Sequence, residues 1–330
     1  MIDELLATRD WLLADGATGT NLFAMGLVSG EAPELWNETH PERVQDLHRR
    51  FVAAGADIIL TNSFGCNRRR LALHKLEART GALARRAAEN ARAVADRAGR
   101  RVVVAGSVGP TGDLFAPLGA LTEALAIEVF AEEIEGLRAG GAEVIWIETM
   151  SALEEMRAAA LAAARHGMPY AVTASFDTAG NTMMGVTPAR FVETVAGFAP
   201  APCAAGANCG VGASDLLVSM LAMSETAPPL PLIAKANCGI PEVHGSHVHY
   251  SGTPALMADY ARLARDAGAR IIGGCCGTSP EHLAAMRLAL EGHRRGRHPD
   301  RDRITAAIGP LASPPSRADA APRRRGRRPR

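Results

Sequence analysis

Three cysteines lie near the predicted ends of two strands, in sequence contexts that suit a metal ion. Cys209 follows the apolar run 203–207, and Cys275 and Cys276 lie between glycines after the run 270–272. Thiolates favour zinc, and three of them leave the fourth position of a tetrahedral site open. The flanking glycines allow the sharp turn that adjacent cysteines need to reach one ion. We therefore predict Zn²⁺ on these three cysteines; a vicinal disulfide or the packing of small thiols are the alternatives.

The other cysteines and a histidine-rich loop are weaker metal candidates. Cys238 follows a predicted strand, where a small residue suits a tight turn, and Cys66 and Cys203 have no pattern that assigns them a role. The chain is long and shows no secretion signal, so a disulfide framework is not expected. A second candidate metal site consists of His244, His247 and His249 in one loop.

A zinc ion with three thiolates and an open position suits the activation of a substrate thiol. A free thiol has a pKa of about 8.5, so little of it is a nucleophilic thiolate at neutral pH, and zinc binding removes that proton. The predicted chemistry is alkyl transfer to a substrate sulfur.

Two acidic residues and a glycine-bearing turn are candidates for binding the rest of such a substrate. Asp15 and Glu148 can hold a substrate ammonium, while N–H groups at Gly16 and Ala17, or Ser107, can hold a carboxylate. The alternatives are a helix N-cap for Asp15 and a buried salt bridge for Glu148.

Short apolar runs alternate with helical patterns along the chain, which defines the fold that must position these residues. The eight apolar runs predicted as strands are 11–14, 57–60, 101–105, 143–147, 170–174, 203–207, 231–236 and 270–272. The helical patterns between and after them cover 41–54, 82–97, 122–139, 152–165, 188–196, 214–223, 254–267 and 280–295. Thr122, and Thr187 before Pro188, are typical helix starts.

Eight strands with crossover helices predict an α/β fold, a (β/α)8 TIM barrel. A doubly wound open sheet is the alternative, but the turn at 16–19 lacks the GxGxxG spacing that it favours. Active sites of barrels lie at the carboxyl ends of the strands, where polar residues follow all eight predicted strands. We therefore add Asn62 and Asn237, which follow the second and seventh strands, to the predicted substrate site.

Composition limits the domain organisation and the partners. The chain has 330 residues, of which 47% are hydrophobic, and we predict one barrel domain over residues 1–311. No apolar run reaches the roughly 18 residues of a membrane span, and no signal peptide is recognised, so we expect a cytoplasmic protein without a membrane partner. Residues 312–330 are rich in Arg and Pro, and we expect a disordered tail without a nucleic-acid partner.

Motifs near the strand ends resemble those of the homocysteine S-methyltransferase family. This family includes betaine–homocysteine methyltransferase and the homocysteine domain of cobalamin-dependent methionine synthase. The resemblance extends over roughly residues 10–290 and is carried by the segments DGATGT at 15–20, TNSF at 61–64, GSVGP at 106–110, ET at 148–149, NCG at 208–210 and GGCCGT at 273–278. It implies zinc on Cys209, Cys275 and Cys276, homocysteine held through its amino group by Asp15 and Glu148, and methionine as product.

The resemblance also bears on the methyl donor. The whole chain looks most similar to bacterial betaine–homocysteine methyltransferases, which implies betaine, a cation that aromatic rings can surround. Two tyrosines of the family's cage correspond here to Gly65 and Thr149, and Trp36 lies near the cage tryptophan. Trp36 is thus a candidate for donor binding or for packing on the helix that starts at Pro41.

Two other functions agree with the same residues. The first is the homocysteine-activating subunit of a split methionine synthase, with the methyl group supplied by a separate methylcobalamin protein. The second is a non-catalytic, zinc-binding or redox-sensing barrel. The sequence is compatible with a homo-oligomer in each case.

Overall fold

Eight parallel strands form a single sheet, and two more strands form a hairpin. The computed structural model describes residues 2–244 and 247–312, with the side chains of 241–249 excepted. In chain order the strands are β1 Leu12–Leu13, β2 Ile58–Leu60, β3 Val103–Val108, β4 Val144–Met150, β5 Tyr170–Ala174, β6 Ala204–Cys209, β7 Leu232–Ala236, β8 Pro241–His244, β9 His247–Tyr250 and β10 Ala269–Gly274.

The large sheet closes on itself. Its strand order is β1-β10-β7-β6-β5-β4-β3-β2, with every pair parallel. A parallel bridge between Ala14 and Ile58 joins the two ends, and the Asp57 N–H donates to the Leu13 carbonyl oxygen at 2.7 Å. The predicted (β/α)8 barrel is therefore confirmed.

Helices surround the barrel, and the eight that the sequence predicts begin within two residues of their predicted starts. They are α1 Ile2–Thr8, α2 Gly19–Ala24, α3 Trp36–Thr39, α4 Pro41–Ala53, α5 Arg68–Leu71, α6 Thr80–Ala95, α7 Glu123–Ala139, α8 Leu153–Arg165, α9 Pro188–Ala196, α10 Ala213–Glu225, α11 Pro254–Asp266, α12 Pro280–Glu291 and α13 Arg301–Ile308, with 3-10 turns at Pro33–Leu35, Ala72–His74 and Glu77–Arg79. The hydroxyls of Thr122 and Thr187 accept hydrogen bonds from the N–H groups of Leu125 and Arg190, which confirms both predicted caps.

The core has two parts because each barrel strand has an inner and an outer face. Side chains such as Leu13, Ile59 and Val104 pack outward against the helices. Inside the barrel, residues that include Leu12, Ile58 and Trp146 pack with Ile2 and Leu6 of α1. Helix α1, which the sequence did not predict, thereby contributes to the inner core.

Several strands extend further than predicted. Ser107 lies within β3, Glu148 within β4 and Cys209 at the end of β6, beyond the apolar runs. Ser107 pairs with Trp146 and Cys209 pairs with Ala236, whereas Glu148 lies in the register irregularity between Ile147 and Met150. The predicted strands ended too early because the prediction placed each strand end at the first polar residue. The hairpin of β8 and β9 was also not predicted.

Two further predictions concern the C-terminal tail and membrane-spanning segments. The predicted disordered tail, apart from residue 312, lies outside the described residues. Within the part of the chain that is described, none of the helices has the length and apolarity needed to cross a membrane.

Candidate metal and substrate site at the mouth of the barrel

Three cysteine sulfurs come together at the carboxyl ends of β6 and β10. Cys209 is the last residue of β6, and Cys275 and Cys276 directly follow β10. The three Sγ atoms lie within 4.8 Å of one another, and those of Cys209 and Cys276 are 4.0 Å apart. Among the described residues, this is the one group of three or more His, Cys, Asp and Glu side chains close enough to share an ion. The cluster that the sequence predicted is therefore assembled by the fold.

The backbone around the cysteines is bent into unusual conformations that turn the thiols toward one another. Cys209 has a φ of +61°, in the left-handed region that non-glycine residues seldom adopt. Asn237, directly after β7, connects the two turns. Its Oδ1 accepts from the Cys276 N–H at 3.1 Å, and its Nδ2 donates to the Gly210 carbonyl oxygen at 2.7 Å. Asn208 Nδ2 lies 3.8 Å from Cys275 Sγ. These contacts support the thiol geometry from β6 and β7.

The thiols change one another's acidity. The thiols of Cys209 and Cys275 donate hydrogen bonds that lower the pKa of Cys276 well below its ordinary value. The same network raises the pKa of Cys209, whose proton is held between the neighbouring sulfurs. The cluster thus stabilises one thiolate readily, whereas full ionisation of three adjacent thiols requires a cation.

Glu148 lies on β4 inside the mouth of the barrel. It is buried, and Ser107 Oγ donates to its Oε1 at 2.5 Å. Burial, with a contribution from Cys275, raises the pKa of Glu148 to about 7, while Lys235 and the Ser107 hydrogen bond oppose the rise. The hydroxyl of Ser107, a predicted substrate residue, therefore has a protein partner in Glu148.

Asp15 follows β1 and is fixed by two other strands. Its Oδ2 accepts from the Leu60 N–H at 2.7 Å, and its Oδ1 is 2.9 Å from Lys235 Nζ. Burial by itself would lower the pKa of Lys235, but Asp15 and Glu148 raise it above the ordinary value, so this lysine is charged. Sequence reasoning missed Lys235. A lysine within the apolar run of a central strand was the available signal, because a buried ammonium requires a partner.

Other predicted substrate residues have protein partners. The Ala17 N–H donates to the Thr278 carbonyl oxygen at 3.1 Å. Gly16 lies so close to the same oxygen that an added Cβ would be 2.6 Å from it. Asn62 Nδ2 donates to the Pro33 carbonyl oxygen at 2.8 Å and contacts Asn37 Oδ1 at 3.3 Å. These groups support the loops after β1 and β2.

Trp36 lies at the start of α3 and is buried, with 4% of its surface exposed. Its ring centroid is 4.8 Å from that of His40, and the Arg43 guanidinium lies over the ring at 5.1 Å. The ring already packs against a protein cation, which favours the packing interpretation of Trp36.

The other cysteines, Cys66, Cys203 and Cys238, do not belong to the cluster. Cys66 and Cys238 are buried, and Cys238 donates its backbone N–H to the Cys276 carbonyl oxygen at 2.9 Å. The side chains of His244, His247 and His249 lie outside the described residues.

Comparison with known proteins agrees with this geometry. The sequence model described as Homocysteine S-methyltransferase matches residues 12–290. The chain belongs to the homocysteine S-methyltransferase family. The resemblance inferred from the motifs is therefore confirmed.

Relatives of this homocysteine S-methyltransferase family member include both long and short proteins. Methionine synthases of Mycobacterium tuberculosis and Mycobacterium leprae are each 30% identical to it over 86% and 87% of its length. The chain spans about a quarter of the length of these relatives. The metallated crystal structure of homocysteine methyltransferase MmuM from Escherichia coli is 26% identical, with a TM-score of 0.72, over 86% of this chain and 98% of that one.

Proposed function

We propose that this protein transfers a methyl group to the sulfur of homocysteine to form methionine, with Zn²⁺ held by Cys209, Cys275 and Cys276. The observation that carries the proposal is the spacing of the sulfurs. Zinc–sulfur bonds of about 2.3 Å in a tetrahedron place sulfurs about 3.8 Å apart, close to the 4.0 Å between Cys209 and Cys276. Three sulfurs leave one coordination position for a substrate thiol. MmuM, a homocysteine methyltransferase, has a metallated form.

When bound, zinc lowers the pKa of the substrate thiol, so that a thiolate is available at neutral pH. The protein's own residues bind and orient the substrate. Asp15 and Glu148 present carboxylate oxygens at the ends of β1 and β4, where they accept hydrogen bonds from the substrate ammonium. Ser107 and the Leu60 N–H hold these carboxylates in place.

Metal content and product formation test this proposal together. The purified protein is expected to contain about one zinc ion, and the variants Cys209→Ala, Cys275→Ala and Cys276→Ala are expected to lose most of it. Cys238→Ala is the matched control, because Cys238 is buried beside the cluster without belonging to it. Zinc retention in all three variants would refute the site. Zinc binding without methionine formation from any donor would favour a non-catalytic barrel.

For the donor, we infer a methyl group carried by a separate corrinoid protein in place of betaine. Trp36 was the aromatic residue that the sequence suggested for a betaine cage. Its ring is buried, with the Arg43 guanidinium over it. Exposed apolar side chains instead lie on loops that follow four barrel strands: Phe64, Leu114, Leu118, Met183, Met184 and Ile240. Exposed apolar side chains around a site are typical of a surface that a protein partner covers.

A donor assay separates the two candidates. Zinc-loaded protein with homocysteine is given betaine, S-methylmethionine or methylcobalamin, and methionine is measured. We expect methionine with methylcobalamin and none with betaine. Methionine from betaine alone would restore the donor that the sequence resemblance implies, and it would leave the assignment of homocysteine as acceptor intact.

A further inference from the structure

A lysine lies inside the barrel beside the predicted substrate site. Lys235 is on β7 and only 1% exposed. Its Nζ lies 2.9 Å from Asp15 Oδ1 and 3.1 Å from the Asp15 carbonyl oxygen. The Trp146 ring, on the inner face of β4, is 5.9 Å from the same nitrogen. The ammonium is thus held at one position, between the end of β1 and the centre of the barrel.

The contacts of Lys235 determine how Asp15 is oriented. Strand β10 lies between β1 and β7, so the pair reaches across one strand of the barrel. With Lys235 on Oδ1 and the Leu60 N–H on Oδ2, the carboxylate is held from both sides. Each carboxylate oxygen accepts more than one hydrogen bond, so both retain lone pairs for a further donor.

The charges of the site explain why a lysine belongs there. Asp15 and Glu148 carry two carboxylates, yet a single substrate ammonium balances only one of them. Cys275 of the cysteine cluster is close enough to interact electrostatically with both acids, and burial makes uncompensated negative charge costly. Lys235 interacts electrostatically with Asp15, Glu148 and Cys275. Two carboxylates and one ammonium from Lys235 leave a net charge of about −1 between them, which the substrate ammonium then balances.

We propose that Lys235 is a positioning residue, which holds Asp15 as an oriented carboxylate so that Asp15 can bind the ammonium group of homocysteine. This inference rests on the proposed function. A lysine with a purely structural role would affect folding and all ligands equally. A lysine that acts through Asp15 affects recognition of the amino group specifically.

Two thiol ligands that differ only in the amino group provide the test. Homocysteine and 4-mercaptobutanoate share the thiol and the carboxylate, and the second lacks the ammonium. Their affinities for the zinc-loaded protein are measured by calorimetry for the wild type, Asp15→Asn, Lys235→Met and the double variant. We expect Lys235→Met to weaken homocysteine binding by about tenfold or more, with 4-mercaptobutanoate binding and zinc content unchanged.

The double variant makes the test independent of the stability of Lys235→Met, which leaves a buried carboxylate unpaired. It removes both charges together, and we expect its homocysteine affinity to equal that of Asp15→Asn. The inference is overturned if Lys235→Met keeps the wild-type preference for homocysteine, or if the double variant binds homocysteine about tenfold more weakly than Asp15→Asn. A wild type that binds both thiols equally would instead refute the ammonium site of the proposed function, and the inference with it.

Discussion

The backbone N–H of Cys276 donates a hydrogen bond to the side chain of Asn237, with 3.1 Å between nitrogen and Oδ1. The side-chain Nδ2 of Asn237 donates to the Gly210 carbonyl oxygen at 2.7 Å. The side chain of Asn237, directly after β7, therefore connects the two turns that carry the clustered thiols, which are more than sixty residues apart in the sequence.

Asn237→Ala is expected to weaken zinc binding by about 10–100-fold, a typical loss for residues that support metal ligands. Competition with a chromophoric chelator measures the affinity, and circular dichroism checks the fold. Asn62→Ala is the matched control, because Asn62 bonds to the loop at Pro33 and Asn37 instead. Equal zinc affinity in Asn237→Ala and the wild type would contradict the supporting role.

Glu148→Gln is expected to reduce homocysteine affinity by about 1.5–3 kcal/mol, the value of a hydrogen bond to a charged group. Zinc content should remain unchanged, and calorimetry on the zinc-loaded protein measures the affinity. Glu155→Gln is the control, since Glu155 is also buried but binds the N–H and hydroxyl of Thr111. If Glu148→Gln lowers thermal stability and leaves homocysteine affinity intact, Glu148 has a structural role.

Trp36→Ala is expected to lower the free energy of unfolding by about 3–5 kcal/mol, as for other buried aromatic residues. The loss follows from the burial of the ring and its contact with Arg43. Urea denaturation measures it. Trp11→Ala should cost less, because Trp11 is only partly buried although Arg287 lies over its ring. A Trp36→Ala protein of normal stability that fails only with betaine would support the donor-binding interpretation.

His48 makes stability depend on pH. Burial lowers the pKa of His48 from 6.5 to about 4, and neither ring nitrogen has a hydrogen-bond partner among the described residues. Above pH 6.5 the ring is neutral in both the folded and unfolded states, so its contribution to stability is fully present there. As the pH falls from 6.5 to 4, only the unfolded state gains a proton, and stability decreases by about 3 kcal/mol.

The variant His48→Leu isolates this effect from other titrating groups. Urea denaturation of both proteins at pH 7.5 and pH 4.5 gives the difference in free energy between them at each pH. We expect the variant to gain stability relative to the wild type at the lower pH. The same difference at both values would show that His48 does not titrate in this way.

The sequence by itself was sufficient to predict the barrel, the starts of eight of its helices and the three cysteines of the cluster. Alternating apolar runs and amphipathic helices determine a parallel barrel, because each element has to bury its own apolar face. Carboxyl ends of parallel strands converge, so Cys209, Cys275 and Cys276 had to approach one another once the strands were assigned.

Only the tertiary structure decided which polar residues remain available to a ligand. Lys235 pairs with Asp15 across β10, and Asn237 joins two turns; both relationships connect residues that are distant in the chain. Trp36, Asn62 and Ala17 had suitable types and positions for substrate binding, yet each has its partners within the protein. Residue type and spacing indicate what a side chain can bind. Its orientation and its partners depend on how distant elements pack against one another, and the periodicity of the sequence does not specify that packing.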